Sequence, residues 1–124
     1  MAQGRVENHE QLDAWQEALE LVVGVYRQTA LLPNEERFGL IAQMRRSATS
    51  VPANIAEGAA RSSRADFARF VSIARGSLAE LDTYMHLVKR LGYMGDVSEM
   101  HAQIKGLARM LTQLHRSLSR SAVL

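Results

Sequence analysis

The sequence predicts an all-α protein that folds as an antiparallel up-down-up-down four-helix bundle. Apolar residues recur at alternating steps of three and four along nearly the whole chain, which is the period of a helix. The 124 residues include only two prolines and few clusters of β-branched residues. Four helices of roughly 20 to 28 residues with short connections pack most simply as such a bundle. We expect residues 1–124 to form a single domain.

The first predicted helix covers about residues 8–31 and carries two apolar rows. The row expected to face the core is Leu12, Trp15, Leu19, Val22 and Tyr26. The row beside it is Ala14, Ala18, Leu21 and Val25. The helix should end before Pro33, because proline disfavours the helical conformation of the residue that precedes it.

The second predicted helix covers about residues 34–60 and contains a proline in its interior. Its core row is Ile41, Met44, Ala48, Val51 and Ile55. Pro52 lacks a backbone donor and crowds the carbonyl four residues earlier, at a cost of about 3 kcal/mol in an ordinary helix interior. We therefore predict a helix kink at Pro52, followed by the end of the helix near Gly58.

The third and fourth predicted helices cover about residues 63–91 and 96–120. Ser63 and Asp66 resemble a capping box at the start of the third helix. Its core row is Phe67, Val71, Ala74, Leu78, Leu81, Met85 and Val88. A second row, Phe70, Ile73, Ser77, Tyr84, Leu87 and Leu91, favours self-association of the chain. The core row of the fourth helix is Val97, Met100, Ile104, Leu107, Leu111, Leu114 and Leu118.

A line of polar residues runs along the second helix beside its core row. Its members lie within about 80° of one another: Gln43, Ser47, Ser50, Asn54, Glu57 and Arg61. A solvated face is the ordinary interpretation, but most of these side chains are short or amide groups. They predict a structural polar network at the close approach of another helix, with Arg61 or Arg45 as partners of Glu57 and Asn54.

The same helix carries a recognisable sequence signature. It comprises Phe38-Gly39-Leu40, Gln43, Arg45-Arg46, Ser50-Val51-Pro52 and Asn54-Ile55-Ala56-Glu57-Gly58. The match extends through Trp15-Gln16, Ala18, Tyr26, Pro33, Glu36, Arg61, Phe70, Ile73-Ala74, Gly76-Ser77, Glu80 and Leu91-Gly92-Tyr93. This pattern resembles the intervening-sequence, or ribosomal-protein-like, family of four-helix bundles, some of which are encoded inside insertions of large-subunit ribosomal RNA genes. The resemblance covers roughly residues 12–93.

The resemblance implies an up-down bundle that assembles with itself into a ring of five. It also implies a relation to the accessory proteins of diversity-generating retroelements, which are similar pentameric bundles thought to bind nucleic acid and a reverse transcriptase. The expected partners are therefore other copies of the chain, RNA or DNA, and a reverse transcriptase or another protein.

Basic residues form a row on the fourth helix, within about 60° of one another and opposite much of its leucine seam. The row is Lys105, Arg109, Arg116 and Arg120, and Arg46 is a further candidate on the second helix. Repetition of the row around a ring would sum into a potential that attracts phosphates. We therefore expect a nucleic-acid-associated accessory factor, and the alternative is a ring-forming scaffold that binds another protein.

Catalytic and metal-binding motifs are missing from the sequence. It has no cysteine, no phosphate-cradling glycine pattern and no histidine pair at the four-residue spacing of a helical metal motif. Asp82 and His86 lie one helical turn apart, which an exposed ion pair explains. No apolar run approaches the roughly 18 residues that span a bilayer. We expect a cytoplasmic protein that is not an enzyme, with no catalytic residues, cofactor or metal and no membrane association.

Overall fold

The computed structural model describes residue 9 and residues 12–120, and within these residues it contains four α-helices and no strand. The helices are α1 (Asp13–Thr29), α2 (Leu40–Ala59), α3 (Arg64–Arg90) and α4 (Ser98–Arg120), with a short 3₁₀ turn at Asn34–Glu36. The all-helical prediction is confirmed. None of the described helices has the length and the apolar character that crossing a membrane requires.

Each helix packs against two others around one core. Helices α1 and α3 both contact α2 and α4, and the contact between α2 and α3 is the most extensive. Gln43 near the start of α2 reaches Tyr84 late in α3, whereas Gly58 at the end of α2 faces Phe70 early in α3. This register is consistent with the predicted antiparallel bundle. The buried apolar side chains of all four helices form a single cluster.

The core rows of α2, α3 and α4 are largely as predicted. All seven predicted residues of α3 are buried. In the predicted rows of the second and fourth helices, only Ile41, Leu114 and Val97, which lies just before α4, are half-buried instead. The hydrophobic period therefore identified the inward face of three helices correctly.

The prediction for α1 was wrong, because its two apolar rows exchange roles. The buried row is Ala14, Ala18, Leu21 and Val25, joined by Thr29. Leu19 and Tyr26 of the predicted core row are exposed. Two alanines on the buried row let α1 lie close to its neighbours, and Thr29 satisfies its hydroxyl by donating to the Val25 carbonyl oxygen at 2.7 Å.

Helix α2 begins at Leu40, six residues later than predicted, and the Glu36 side chain caps this new start. The Oε1 atom of Glu36 accepts a hydrogen bond from the Leu40 backbone N–H at 3.2 Å and so caps the new helix start. Its Oε2 atom accepts the Tyr93 hydroxyl at 3.1 Å, which raises the pKa of Tyr93. One carboxylate thus joins the start of α2 to the connection after α3.

The remaining helix boundaries also differ from the prediction. Helix α1 begins at Asp13 and ends at Thr29; of its predicted first residues, 8, 10 and 11 lie outside the described ones. Helix α4 begins at Ser98, two residues late. The Asp96 carboxylate accepts the Ser98 backbone N–H at 2.9 Å, which lowers the pKa of Asp96. The Ser63 cap is confirmed, since its hydroxyl accepts the Asp66 N–H at 3.0 Å.

The end of α2 touches α3 at a glycine that leaves no room for a side chain. A Cβ atom at Gly58 would lie 2.8 Å from Phe70 Cβ, 2.9 Å from Phe67 Cδ1 and 3.2 Å from the Phe67 carbonyl oxygen. The second and third of these contacts involve atoms held by the core, because Phe67 is buried. The glycine therefore sets the distance between the two helices.

We predict opposite effects for alanine at two helical glycines. Gly58→Ala should lower the free energy of unfolding by about 1–3 kcal/mol, because the added methyl group overpacks the α2–α3 contact. Gly76→Ala should raise it by about 0.5–1 kcal/mol, because nothing lies within 4 Å of its Cβ position and alanine is the better helix former. Denaturant unfolding at matched protein concentration measures both changes. A stabilised Gly58→Ala protein would show that the two helices are not in tight contact.

Candidate functional site

The centre of the polar line on α2 binds α3 of the same chain. The hydroxyls of Ser50 and Ser77 share a hydrogen bond of 2.8 Å. Asn54 Nδ2 donates to the Ser50 carbonyl oxygen at 2.8 Å and to the Ser50 hydroxyl at 2.9 Å. The three side chains are half-buried and together form a small polar network. The helix that approaches these short side chains is thus α3.

The other members of the line lie in three environments: Gln43 contacts α3, Ser47 faces the core, and Glu57 and Arg61 pair at the exposed end. Gln43 Oε1 accepts from the Tyr84 hydroxyl at 3.4 Å and also from the Arg46 guanidinium. Ser47 is buried and donates to the Met44 carbonyl oxygen at 3.1 Å, so it belongs to the core side of α2.

Glu57 and Arg61, at the end of the line, pair as predicted. Their ion pair measures 2.8 Å, but both side chains remain about half exposed, at 52% and 42%. Such exposed pairs contribute little to stability. The Arg61 guanidinium also lies 4.8 Å from the centre of the Phe70 ring, on α3.

Among residues 12–120 of the same chain, Arg45 forms no ion pair with an acid, which differs from the expectation that it pairs with Glu57. Its Nε donates to the Thr29 hydroxyl at 2.9 Å, and a terminal nitrogen donates to the Tyr26 carbonyl oxygen at 3.3 Å. The guanidinium also stacks 4.4 Å from the centre of the Tyr26 ring. A neutral hydroxyl, a carbonyl and an aromatic face thus satisfy this cation, which joins α1 to α2.

Pro52 is buried inside α2 and has polar neighbours on both sides. Proline frees the carbonyl of residue 48, four positions earlier. In the described segment, Ser47, Thr49 and Asn54 instead donate to the carbonyls of Met44, Arg45, Arg46 and Ser50. The polar line therefore binds α2 to α3 and does not repair the gap that the proline leaves. The helix kink at Pro52 stays a prediction.

The basic row of α4 is exposed along its whole length. Lys105, Arg109, Arg116 and Arg120 all face solvent, and α4 has no acidic residue after Glu99. Within residues 12–120 none of the four takes part in an ion pair. Their charge is therefore available to an external anion.

Arg75 of α3 extends this row across the helix boundary. One groove between α3 and α4 is lined by both Arg75 and Lys105, and the adjoining groove is lined by Arg75, Arg116 and Arg120. The positive charge therefore covers a face formed by two helices, which we call the basic face: Arg75, Lys105, Arg109, Arg116 and Arg120. Sequence patterns on one helix could not reveal Arg75, because only the packing of α3 on α4 places it there.

Arg46 lies apart from the basic face. It is exposed on α2, a helix that packs against α1 and α3 but has no contact with α4. Its guanidinium is hydrogen-bonded to Gln43. The structure therefore does not bring together all five candidate nucleic-acid-binding residues.

Comparison with known proteins identifies the family. The sequence model of the 23S rRNA-intervening sequence proteins matches residues 10–113, which is most of the chain. The chain belongs to this family. The match continues through most of α4, beyond the end of the sequence signature near residue 93. No curated protein matches the chain.

A member of the family of known structure has the same fold. It is a protein of unknown function from the S23 ribosomal protein family of Bacteroides thetaiotaomicron, and it is 27% identical in sequence. The similarity covers 90% of this chain and 99% of that chain, with a TM-score of 0.62. The sequence match and the structural similarity therefore support the same family assignment.

Proposed function

We propose that this chain is a non-enzymatic, oligomeric accessory protein that binds the phosphate backbone of RNA or DNA. The observation that carries the proposal is the basic face, with five exposed cations from two helices. Four of the five are arginines, whose planar guanidinium groups bind phosphate oxygens in pairs. The family's association with ribosomal RNA genes agrees with such a partner.

Binding through this face would depend on charge more than on base sequence. The two grooves that run along it are lined by Ser, Thr, Arg, Lys, His, Asp, Gly and small or aliphatic side chains, without Phe, Tyr or Trp. Stacking platforms for unpaired bases require such aromatic rings. We infer that the protein contacts the backbone of a duplex and discriminates weakly between sequences.

In an oligomer, every subunit would contribute one copy of the basic face. Ile73 and Leu87 of α3 are 42% and 41% exposed, and Leu91, which follows α3, is 50% exposed. All three belong to the row that predicted self-association. The solvent side of α2 carries small exposed residues such as Ala42 and Ala53, which permit the close approach of another chain. We propose that antiparallel bundles associate through these surfaces into a homopentamer and that the assembly acts in the cytoplasm.

The second candidate function is a ring-forming scaffold for another protein, such as a reverse transcriptase. The connection between α1 and α2 favours it, because Leu31 and Phe38 are 76% and 83% exposed. Exposed apolar side chains of this size mark protein contacts when they lie together. The two functions differ in their dependence on salt and on the basic face.

We predict that the chain binds a short RNA or DNA duplex with an affinity that falls steeply as salt rises. Arg109→Gln/Arg116→Gln should weaken binding and make the slope of log affinity against log salt shallower by about one unit for each phosphate contact removed. Fluorescence anisotropy over a salt series measures both quantities.

The matched control is Arg27→Gln/Arg90→Gln, which removes the same charge from exposed sites on α1 and α3 outside the basic face. It should leave the slope close to that of the unchanged protein. Equal effects of the two double variants, or no measurable binding at low salt, would contradict the proposed function and favour the scaffold.

We also predict a mass of about five chains in solution. Each chain has a mass of 13.8 kDa, so light scattering should give about 69 kDa. Leu87→Glu should reduce this mass, because it places a charge in the exposed apolar row of α3.

Ala79→Glu provides the control on the same helix, since Ala79 is exposed in the groove between α3 and α4, about 80° around the helix from Leu87. Its mass should match that of the unchanged protein. A monomer at micromolar concentration would contradict both the ring and the summation of charge around it.

A further inference from the structure

Three potential metal ligands meet where α3 packs against the start of α4. Asp82 and His86 lie one turn apart on α3, and His101 comes from α4. One ligand atom from each residue lies within 4.8 Å of the other two. Sequence spacing indicated only the Asp82–His86 pair, because His101 reaches them through helix packing alone.

The distances are close to those of ligands around one small cation. His101 Nδ1 lies 3.5 Å from Asp82 Oδ1, and His86 Nε2 lies 3.7 Å from Asp82 Oδ2. Tetrahedral zinc, with bonds of 2.0–2.2 Å to nitrogen and oxygen, places its ligand atoms about 3.3 Å apart. Small rotations of the histidine side chains would therefore complete the geometry. The imidazole rings already meet edge to face, with centres 5.7 Å apart.

The carboxylate at the centre of the cluster is incompletely satisfied. Asp82 Oδ1 is buried and, within the described part of the chain, is the one buried side-chain oxygen or nitrogen without a hydrogen-bond partner. His101 is within ion-pair distance of it but forms no hydrogen bond. A buried polar atom without a partner is costly, and a bound cation would remove that cost.

We propose that Asp82, His86 and His101 bind one Zn²⁺ ion per chain and that this ion links α3 to α4. Two imidazoles and a carboxylate are ligands that Zn²⁺ accepts, whereas Mg²⁺ prefers a shell of oxygens. An open groove beside His86 and His101, lined also by Ser98, leaves room for a water molecule in the fourth position. Lys89 and Asp96 also line this groove, and the Ser98 backbone N–H and then the Lys89 charge lower the pKa of Asp96.

His86 and His101 lie outside the two grooves of the basic face, whereas Asp82 also lines the groove that contains Arg75 and Lys105. The metal titration is therefore carried out without nucleic acid, so that its outcome does not depend on the proposed function. The ion would join the two helices on either side of the connection at residues 91–97 and would stabilise the folded chain. Binding to the folded state alone raises the unfolding temperature in proportion to the logarithm of ligand excess.

The test uses the tag-free full chain, stripped of metal with a chelator and then titrated with ZnCl₂ or MgCl₂. At about a hundredfold excess over its dissociation constant, Zn²⁺ should raise Tm by about 10 °C, and Mg²⁺ should leave it unchanged. Co²⁺ in place of Zn²⁺ should give the visible absorption of a low-symmetry, four-coordinate site. Calorimetric titration should give one ion per chain.

His101→Gln should weaken Zn²⁺ binding more than tenfold and at least halve the rise in Tm at the same Zn²⁺ concentration, because it removes one of three ligands. The control is His115→Gln, which removes a histidine of the same helix outside the cluster and should keep the full rise. If His101→Gln has lost its helical circular dichroism without metal, His86→Gln at a 57% exposed side chain serves the same purpose. An absent rise in the unchanged protein, or an equal rise in the variants and the control, would overturn the site.

Discussion

At Gly58, α2 passes so close to α3 that even a methyl group would lie 2.8 Å from Phe70 Cβ. The same two helices share the Ser50–Ser77 hydrogen bond nearer their middles. This close approach fixes the register of the two helices with the largest mutual contact, and the rest of the core follows from it. Pro52 is buried in α2 between these two points, while its neighbours Ser50 and Asn54 bind across to α3 and along α2.

The polar groups of the molecule fall into two sets with different roles. On α2, hydroxyl, amide and guanidinium groups bond to other parts of the same chain, and Arg45 is held by Thr29 and Tyr26. On the basic face, none of the cations takes part in a described ion pair, and all except Arg109 line open grooves. Groups that satisfy one another hold an architecture together, whereas groups left free are available to a partner. The polar groups of α2 therefore hold the fold of the chain together, and the proposed binding surface is the outer side of α3 and α4.

Much of the fold could be predicted from the sequence, because the period of the hydrophobic residues alone identifies a helix and its buried face. The hydrophobic period did not identify the inward face of α1, because both of its rows are apolar: the predicted row contains Leu19 and Tyr26, yet Ala14 and Ala18 are buried. The resemblance of the α2 signature to a family was correct and specific. What could not be predicted depends on two helices meeting, namely the partner of Arg45, the place of Arg75 and the approach of His101 to Asp82. The late start of α2 could not be predicted either. Glu36 caps the helix at Leu40 and also accepts a hydrogen bond from Tyr93, which is distant in sequence.

The central claim, that the basic face and not the polar line of α2 contacts nucleic acid, is tested most directly by arginine footprinting. The chain would be treated with phenylglyoxal with and without duplex RNA at low salt, and the modified arginines would be quantified by mass spectrometry. The account predicts that RNA protects Arg75, Arg109, Arg116 and Arg120, while Arg61 and Arg90 react at unchanged rates. Protection confined to Arg46 and Arg61 on α2, or equal protection of every arginine, would contradict it.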